Sequence, residues 1–341
     1  MKIVVDAMGG DFAPLAPVKG ALMAHEKYGT DIVLTGREHA IMDALRACGC
    51  SELPAGVEIV HAEEVVEICD DPSTAFKKKK DSSLTVGLNL LRDGGADGFV
   101  CAGSTGALLA GATLVVKRIR GLRRAALAPT IPTATGRAVL IDCGANAECT
   151  VEYLLQFAYL GSYYAEKVLG IAHPRVGLLN IGAEESKGDT LRRETYQKLR
   201  EAGDAGHLNF AGNIEAKEAM LGACDVIVAD GYSGNIMLKS LEGTGKMVSL
   251  KLKEMFMSSL TAKLGALLVK SQLAGFKKML DPNEVGGTAL LGISKPVIKA
   301  HGSSNEVAFC NAIHQASEVA QSGIIADIAE NIDKMRIGGE A

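Results

Sequence analysis

Apolar runs rich in β-branched residues alternate with helical periodicity along almost the whole chain. The runs at residues 2–7, 31–35, 57–61, 99–102, 138–142, 176–180, 208–211, 226–229 and 297–300 read as strands. Several lack polar–apolar alternation, as expected for strands buried on both faces. Helical patterns fill the intervals at 14–28, 37–47, 82–91, 106–116, 151–169, 191–202 and 303–335. Strand–helix alternation of this kind builds parallel βαβ units. The expectation is an α/β fold, a doubly wound, mostly parallel sheet sandwiched by helices, forming a single catalytic domain over residues 1–341.

The stretch from Gly98 to Val116 carries no charge, and such a run is long enough to cross a bilayer, which takes roughly 17–25 apolar residues. Its Gly103-Ser104-Thr105-Gly106 cluster favours a different division: a buried strand, a tight turn, then a small-residue helix capped by Ser or Thr. A strand that feeds a helix N-terminus leaves unpaired N–H groups and a positive dipole end, which suit an anion.

Composition narrows the class. The chain is 48% hydrophobic, 22% charged and has a net charge of −4, as a water-exposed globular protein would. Aromatics are 4% and Trp is absent, so stacking platforms for nucleic acid are not expected. The opening MKIVVDAMGGD leaves no room for the apolar core of a signal peptide, which predicts a cytoplasmic protein. The eight cysteines form no CxxC pair and no Cys/His ligand spacing, so reduced thiols and no metal are expected.

Open α/β sheets bind ligands beyond the carboxyl ends of their strands. Glycine and polar clusters fall at those places: DAMGGD at 6–11, GSTG at 103–106, DCGAN at 142–146, IGAEESKG at 181–188, DGYSGN at 230–235 and HGSSN at 301–305. Each alone is an ordinary turn, but together they predict one shared cleft. No GxGxxG, complete P-loop, GxSxG or HExxH occurs, so the cleft has anion-binding apparatus without a familiar nucleophile, metal or redox cofactor.

Two segments stand apart. Lys77 to Lys80 precede a helix capped by Asp81 or Ser82, and this run is either a solvated surface or a funnel for an acidic partner. Residues 250–280 are apolar and basic without a strand signal, and within 245–282 they predict a protruding helical hairpin. It suits a dimer interface or, at its 263–270 tip, an interfacial membrane contact.

DAMGGD with Pro14, KKKKDSS, GSTGALLAGA, DCGAN followed by LLQFAYLGS, NIGAEESKG, GNIEA, DVIVADGYSGNIMLKSLEG and KAHGSSN together resemble the phosphate acyltransferase family of bacterial phospholipid synthesis. The resemblance covers nearly the whole chain in order; Ala147-Glu148 and Leu84 depart from the family pattern beside the motifs. It implies a Rossmann-like fold akin to phosphotransacetylases and isopropylmalate-type dehydrogenases. It implies transfer of a long-chain fatty acyl group from acyl carrier protein to inorganic phosphate, without a cofactor. The acyl phosphate would feed a membrane glycerol-3-phosphate acyltransferase, and the enzyme would be a cytosolic homodimer with peripheral membrane contact.

Under that reading Lys187 neutralises phosphate or oxyanion charge, and Asp230 orients Lys187 or accepts a proton. Asn235 donates to the oxyanion and His301 protonates the departing thiolate. Gly9, Gly10, Ser104 and Thr105 are candidates for the phosphate cradle, with Asp11, Gly106, Asn146 and Ser82 completing the substrate-binding set. Lys77, Lys79 and Lys80 would dock the acidic carrier protein, and Leu264, Leu267, Leu268 and Val269 would touch the membrane. The rival readings are a short-chain enzyme using coenzyme A, a non-catalytic membrane-associated organiser of lipid synthesis, and a nicotinamide-dependent decarboxylating dehydrogenase on a similar fold, against which the lack of an evident acidic metal cluster weighs.

Overall fold

The computed structural model describes residues 1–273, 275 and 286–337. Its strands lie in two sheets. The larger has the order β3-β2-β1-β4-β12-β11-β5, from β1 (Lys2–Asp6), β2 (Asp31–Gly36), β3 (Val57–His61), β4 (Gly98–Cys101), β5 (Ala126–Ala128), β11 (Gly287–Leu291) and β12 (Val297–Ala300). The smaller has the order β6-β7-β10-β8-β9, from β6 (Thr130–Thr133), β7 (Gly136–Ile141), β8 (Arg175–Leu179), β9 (Asn209–Ile214) and β10 (Val226–Val228). Each of the nine runs read as strands falls on one, and the α/β class stands. The strands are divided between two sheets, however, and the sequence does not announce that division.

The additional strands are β5, β6 and β11, and all of their pairings are antiparallel: β11 with β12 and β5, and β6 with β7. They are short segments that carry little periodicity of their own. Pro129 alone separates β5 from β6, so the chain passes between sheets within one residue. An apolar cluster that includes Ile3, Val100 and Ile298 of the larger sheet and Val139, Val176 and Val226 of the smaller continues across both.

Helices α1 (Leu15–Tyr28) and α2 (Glu38–Ala47) follow the first strands, and α3 (Ala75–Lys78) and α4 (Ser83–Arg92) lie before β4. After β4, α5 (Thr105–Gly111) runs into a π-helical stretch at Ala112–Lys117. The uncharged run is therefore strand, turn and helix, and no helix among the described residues is long and apolar enough to cross a membrane. Helices α6 (Val151–Lys167), α7 (Thr190–Asp204) and α8 (Ala216–Met220) belong with the smaller sheet. The expected helix at 303–335 divides at Ser322-Gly323 into α11 (Glu306–Gln321), α12 (Ile324–Glu330) and a 3-10 turn at Ile332–Met335.

The hairpin expectation meets a longer helix. Helix α9 starts at Gly231, well before residue 245, and runs to Met257, yet its buried residues are only Gly231, Gly234 and Met237. Helix α10 (Leu260–Leu268) has no buried residue. Beyond its first turns, α9 thus carries α10 away from the sheets. Of the hairpin expected at 245–282, residues 274 and 276–282 lie outside the described residues.

Candidate functional site

The adjacent strands β1, β4 and β12 end under loops 8–11, 103–106 and 301–305, and these loops touch one another. The Asp11 N–H donates to Gly302 O at 2.8 Å, and a Cβ on Gly9 would stand 2.8 Å from Gly103 N, so only glycine permits that approach. Ser104 caps α5, its Oγ accepting the Ala107 N–H at 3.4 Å. Among the described residues no protein group accepts the N–H of Thr105 or Gly106. Gly10, Asp11, Ser104, Thr105, Gly106 and His301 thus form one crest with a row of open donors. His301 is exposed, and its Nδ1 accepts the Ser303 N–H at 3.2 Å, which places the proton of the neutral ring on Nε2.

Beneath the crest lies a buried ionisable cluster that sequence reasoning missed. Asp6 accepts the Met8 N–H at 3.1 Å and the Cys101 thiol at 3.2 Å. The Lys299 ammonium donates to Ala102 O at 3.2 Å and to Ala300 O. Burial is the main influence on all three groups: it raises the Asp6 carboxyl, lifts the Cys101 thiol well above its usual range and lowers the Lys299 ammonium. Lys299 sits in the run VIKA, and Cys101 in GFVC, so neither differs in pattern from an ordinary strand residue.

The smaller sheet ends differently. Asp142 is fully buried, and its carboxylate accepts the N–H groups of Leu127 (2.8 Å), Cys143 (2.8 Å), Ala145 (3.3 Å) and Asn146 (2.7 Å), with the Asn146 amide at 3.1 Å. Burial pushes this carboxyl up while the N–H donors pull it back. Asn146 also donates to Ala125 O at 2.8 Å and accepts the Gly231 N–H at 2.7 Å, so it braces the junction of the sheets. Asn235 commits one amide hydrogen to Cys143 O at 3.0 Å. A Cβ on Gly234 would lie 1.9 Å from Asp142 O, which lets α9 start hard against this loop.

Asp230 caps α9 through the Ser233 N–H at 2.8 Å, and its other oxygen takes Ser233 Oγ and Arg192 Nη2. Arg192 also holds Asp189 at 2.8 Å. The partner of Asp230 is thus Arg192 of α7 and not Lys187, an arrangement the sequence reading did not include. Lys187 is exposed on the loop before α7, and no described group pairs its ammonium.

The lysine run is not uniform. Lys79 is held by Asp70 at 2.5 Å and Val65 O at 2.7 Å, so its ammonium is committed within its own loop. Lys77 and Lys80 are exposed. Ser82 is buried and caps α4 through the Thr85 N–H at 3.3 Å, a structural placement away from solvent. Leu264, Leu267, Leu268 and Val269 are all exposed on or just after α10. Among the described residues no group of His, Cys, Asp and Glu is arranged to hold a metal.

Comparison with known proteins adds the family. The family described as "Fatty acid synthesis protein" matches residues 1–327. The phosphate acyltransferase of Alkaliphilus oremlandii is 46% identical over 335 residues, covering 98% of each chain. That of Brevibacillus brevis is 46% identical over 340 residues, covering 99% of each. Among solved structures, a phosphotransacetylase from Streptococcus pyogenes superposes with a TM-score of 0.61 at 19% identity, covering 94% of each chain. A branched-chain phosphotransacylase from Enterococcus faecalis gives 0.58 at 16% identity, covering 94% of this chain and all of the other. These last two share the fold. On sequence, the chain belongs to the phosphate acyltransferase family of fatty acid synthesis proteins.

Proposed function

We propose that this enzyme transfers a long-chain fatty acyl group from acyl carrier protein to inorganic phosphate, releasing acyl phosphate for phospholipid synthesis. The observation that carries the reading is a set of open N–H donors at Thr105 and Gly106, with no activated protein nucleophile beside them. Cys101 and Cys143 are held as thiols by burial, so neither supplies a thiolate. Phosphate itself is then the nucleophile. Its oxygens sit on the crest donors, one attacks the thioester carbonyl, and the C–S bond breaks as the tetrahedral intermediate collapses.

Holding phosphate against the thioester supplies about 7–11 kcal/mol of barrier reduction without any covalent enzyme intermediate. The uncommitted Lys187 ammonium neutralises developing oxyanion charge, and the second amide hydrogen of Asn235 can join it. His301 relays the proton that the attacking monohydrogen phosphate gives up to the departing thiolate, so the thiol leaves and the ring ends the step neutral. Asp230, fixed by Arg192, holds the first turn of α9 and so positions Asn235.

Exposed Lys77, Lys78 and Lys80 support an acidic carrier as acyl donor, since clustered lysines steer anions to a surface. Leu260, Leu264, Leu267 and Leu268 recur at i, i+4, i+7 and i+8 on projecting α10 and are exposed, Leu268 by 85%. That stripe supports a peripheral membrane contact where an insoluble product leaves, with α9 available to pair two copies. Replacing Leu267 and Leu268 by Glu should abolish liposome flotation and spare activity in solution; unchanged flotation would sink the contact.

The test of the reaction is to mix purified enzyme, palmitoyl-acyl carrier protein and phosphate, and trap acyl phosphate with hydroxylamine. Hydroxamate well above that from palmitoyl-coenzyme A is expected. No hydroxamate above background would overturn the reaction, and preference for short-chain acyl-coenzyme A would overturn the donor.

A further inference from the structure

We infer that Lys299 is a positioning residue of the anion site, mooring the loops after β4 and β12 in the geometry that receives phosphate. The inference rests on the phosphate reading above. Lys299 is the one lysine or arginine among the described side chains that is buried, at 9% exposure. An ammonium withdrawn from water is strongly destabilising unless it is paired or hydrogen-bonded. A methionine of similar length would fill the same strand position without that cost, so stability alone gives no reason for a lysine here.

The partners indicate the role. Lys299 Nζ bonds Ala102 O and Ala300 O, which are the last carbonyls before Gly103-Ser104 and before His301. One side chain therefore ties the ends of two neighbouring strands where the open donors and the candidate proton donor depart. Asp6 on β1, Asp11 on the following loop and Cys101 on β4 are the titratable groups whose charge acts on it. Asp6 in turn holds the Met8 N–H, so the third loop joins the same cluster. A cation occupied with carbonyls leaves the N–H groups of these loops to an outside anion. Burial favours the neutral amine, so the mooring should release at a lower pH than an ordinary lysine would.

The experiment compares the wild type with Lys299→Met, Lys299→Gln and Lys299→Arg. Phosphate binding is measured by calorimetric titration with inorganic phosphate, alongside steady-state kinetics and thermal melting. Lys299→Met is expected to weaken phosphate binding and lower kcat/KM for phosphate by about 100-fold, the loss typical of misplaced reacting groups, while KM for the acyl donor stays within about twofold. Lys299→Gln, with a donor but no charge, should fall between. Lys299→Arg should recover most of the loss and move the alkaline limb of the rate profile upward, because guanidinium does not lose its proton in that range. Should Lys299→Met fail to fold, the Gln and Arg variants decide by the same criteria.

A folded Lys299→Met or Lys299→Gln that binds phosphate as the wild type does overturns the inference. So does a loss that only tracks the unfolded fraction and falls equally on both substrates. A wild type that binds phosphate without acyl transfer overturns the proposed reaction and leaves the binding comparison to judge Lys299. A wild type that does not bind phosphate overturns both.

Discussion

At the end of the larger sheet a buried ammonium gathers carbonyls, whereas at the end of the smaller sheet a buried carboxylate gathers N–H groups. Both devices anchor loops at strand ends, but they leave opposite faces of the backbone unoccupied. Around Asp142 the donors of Cys143, Ala145 and Asn146 are taken, so the DCGAN loop has little left for an anion. Around Lys299 the acceptors are taken, and the donors at Thr105 and Gly106 stay open. Glycine clusters that look alike in sequence therefore divide into a crest of open N–H donors and a structural clamp. Lys187, on the loop that follows β8 of the smaller sheet, is exposed, and no described group pairs its ammonium.

Breaking the clamp should give the largest effect. Asp142→Ala leaves buried N–H groups without an acceptor, and a stability loss of about 3–5 kcal/mol is expected by chemical denaturation. A loss under about 1 kcal/mol would mean that Asp142 is not the clamp. Lys187→Met tests the opposite case, because the side chain is exposed and has no partner among the described residues. Its melting temperature should match the wild type while kcat falls about 100- to 1,000-fold.

Gly9→Ala sharpens the contrast from the other side, since its Cβ would meet Gly103 N and Asp6 Oδ2 at 2.8 and 2.9 Å. Separation of these loops should raise KM for phosphate about tenfold and leave KM for the acyl donor in place. The smallest effects belong to the lysine run. Lys80→Ala should raise KM for acyl carrier protein about two- to fivefold, and the difference should fade with added salt. Lys79→Ala, which breaks a contact internal to its loop, should leave that KM alone and lower the melting temperature slightly.

Much of the fold was legible because its parallel strands are continuous apolar runs such as KIVVD and VIKA. The division into two sheets was not, because it depends on β5, β6 and β11, whose antiparallel pairings are set by partners distant in sequence. The site was legible as positions more than as roles. Gly10, Ser104, Thr105 and His301 share the crest, yet Ser82 and Asn146 are held by their own neighbourhoods. Lys299 stayed hidden because one lysine in an apolar strand looks like an edge residue until its burial is known. Arg192 stayed hidden because on a helix as polar as TLRRETYQKLREAGD nothing distinguishes it from its charged neighbours.

The most direct measurement deletes one donor of the crest. Thr105 is the first residue of α5, and Ser104 before it has φ −55° and ψ 121°, outside the helical region. Proline is favoured at a first helical position, and the ψ of Ser104 lies in the range that a residue before proline adopts, so Thr105→Pro removes the N–H with little strain. Phosphate titration of Thr105→Pro should show binding at least about tenfold weaker than Thr105→Ala, which lacks the same side chain but keeps the N–H. Equal affinity in the two variants, with both folded, would contradict a phosphate cradle on the larger sheet.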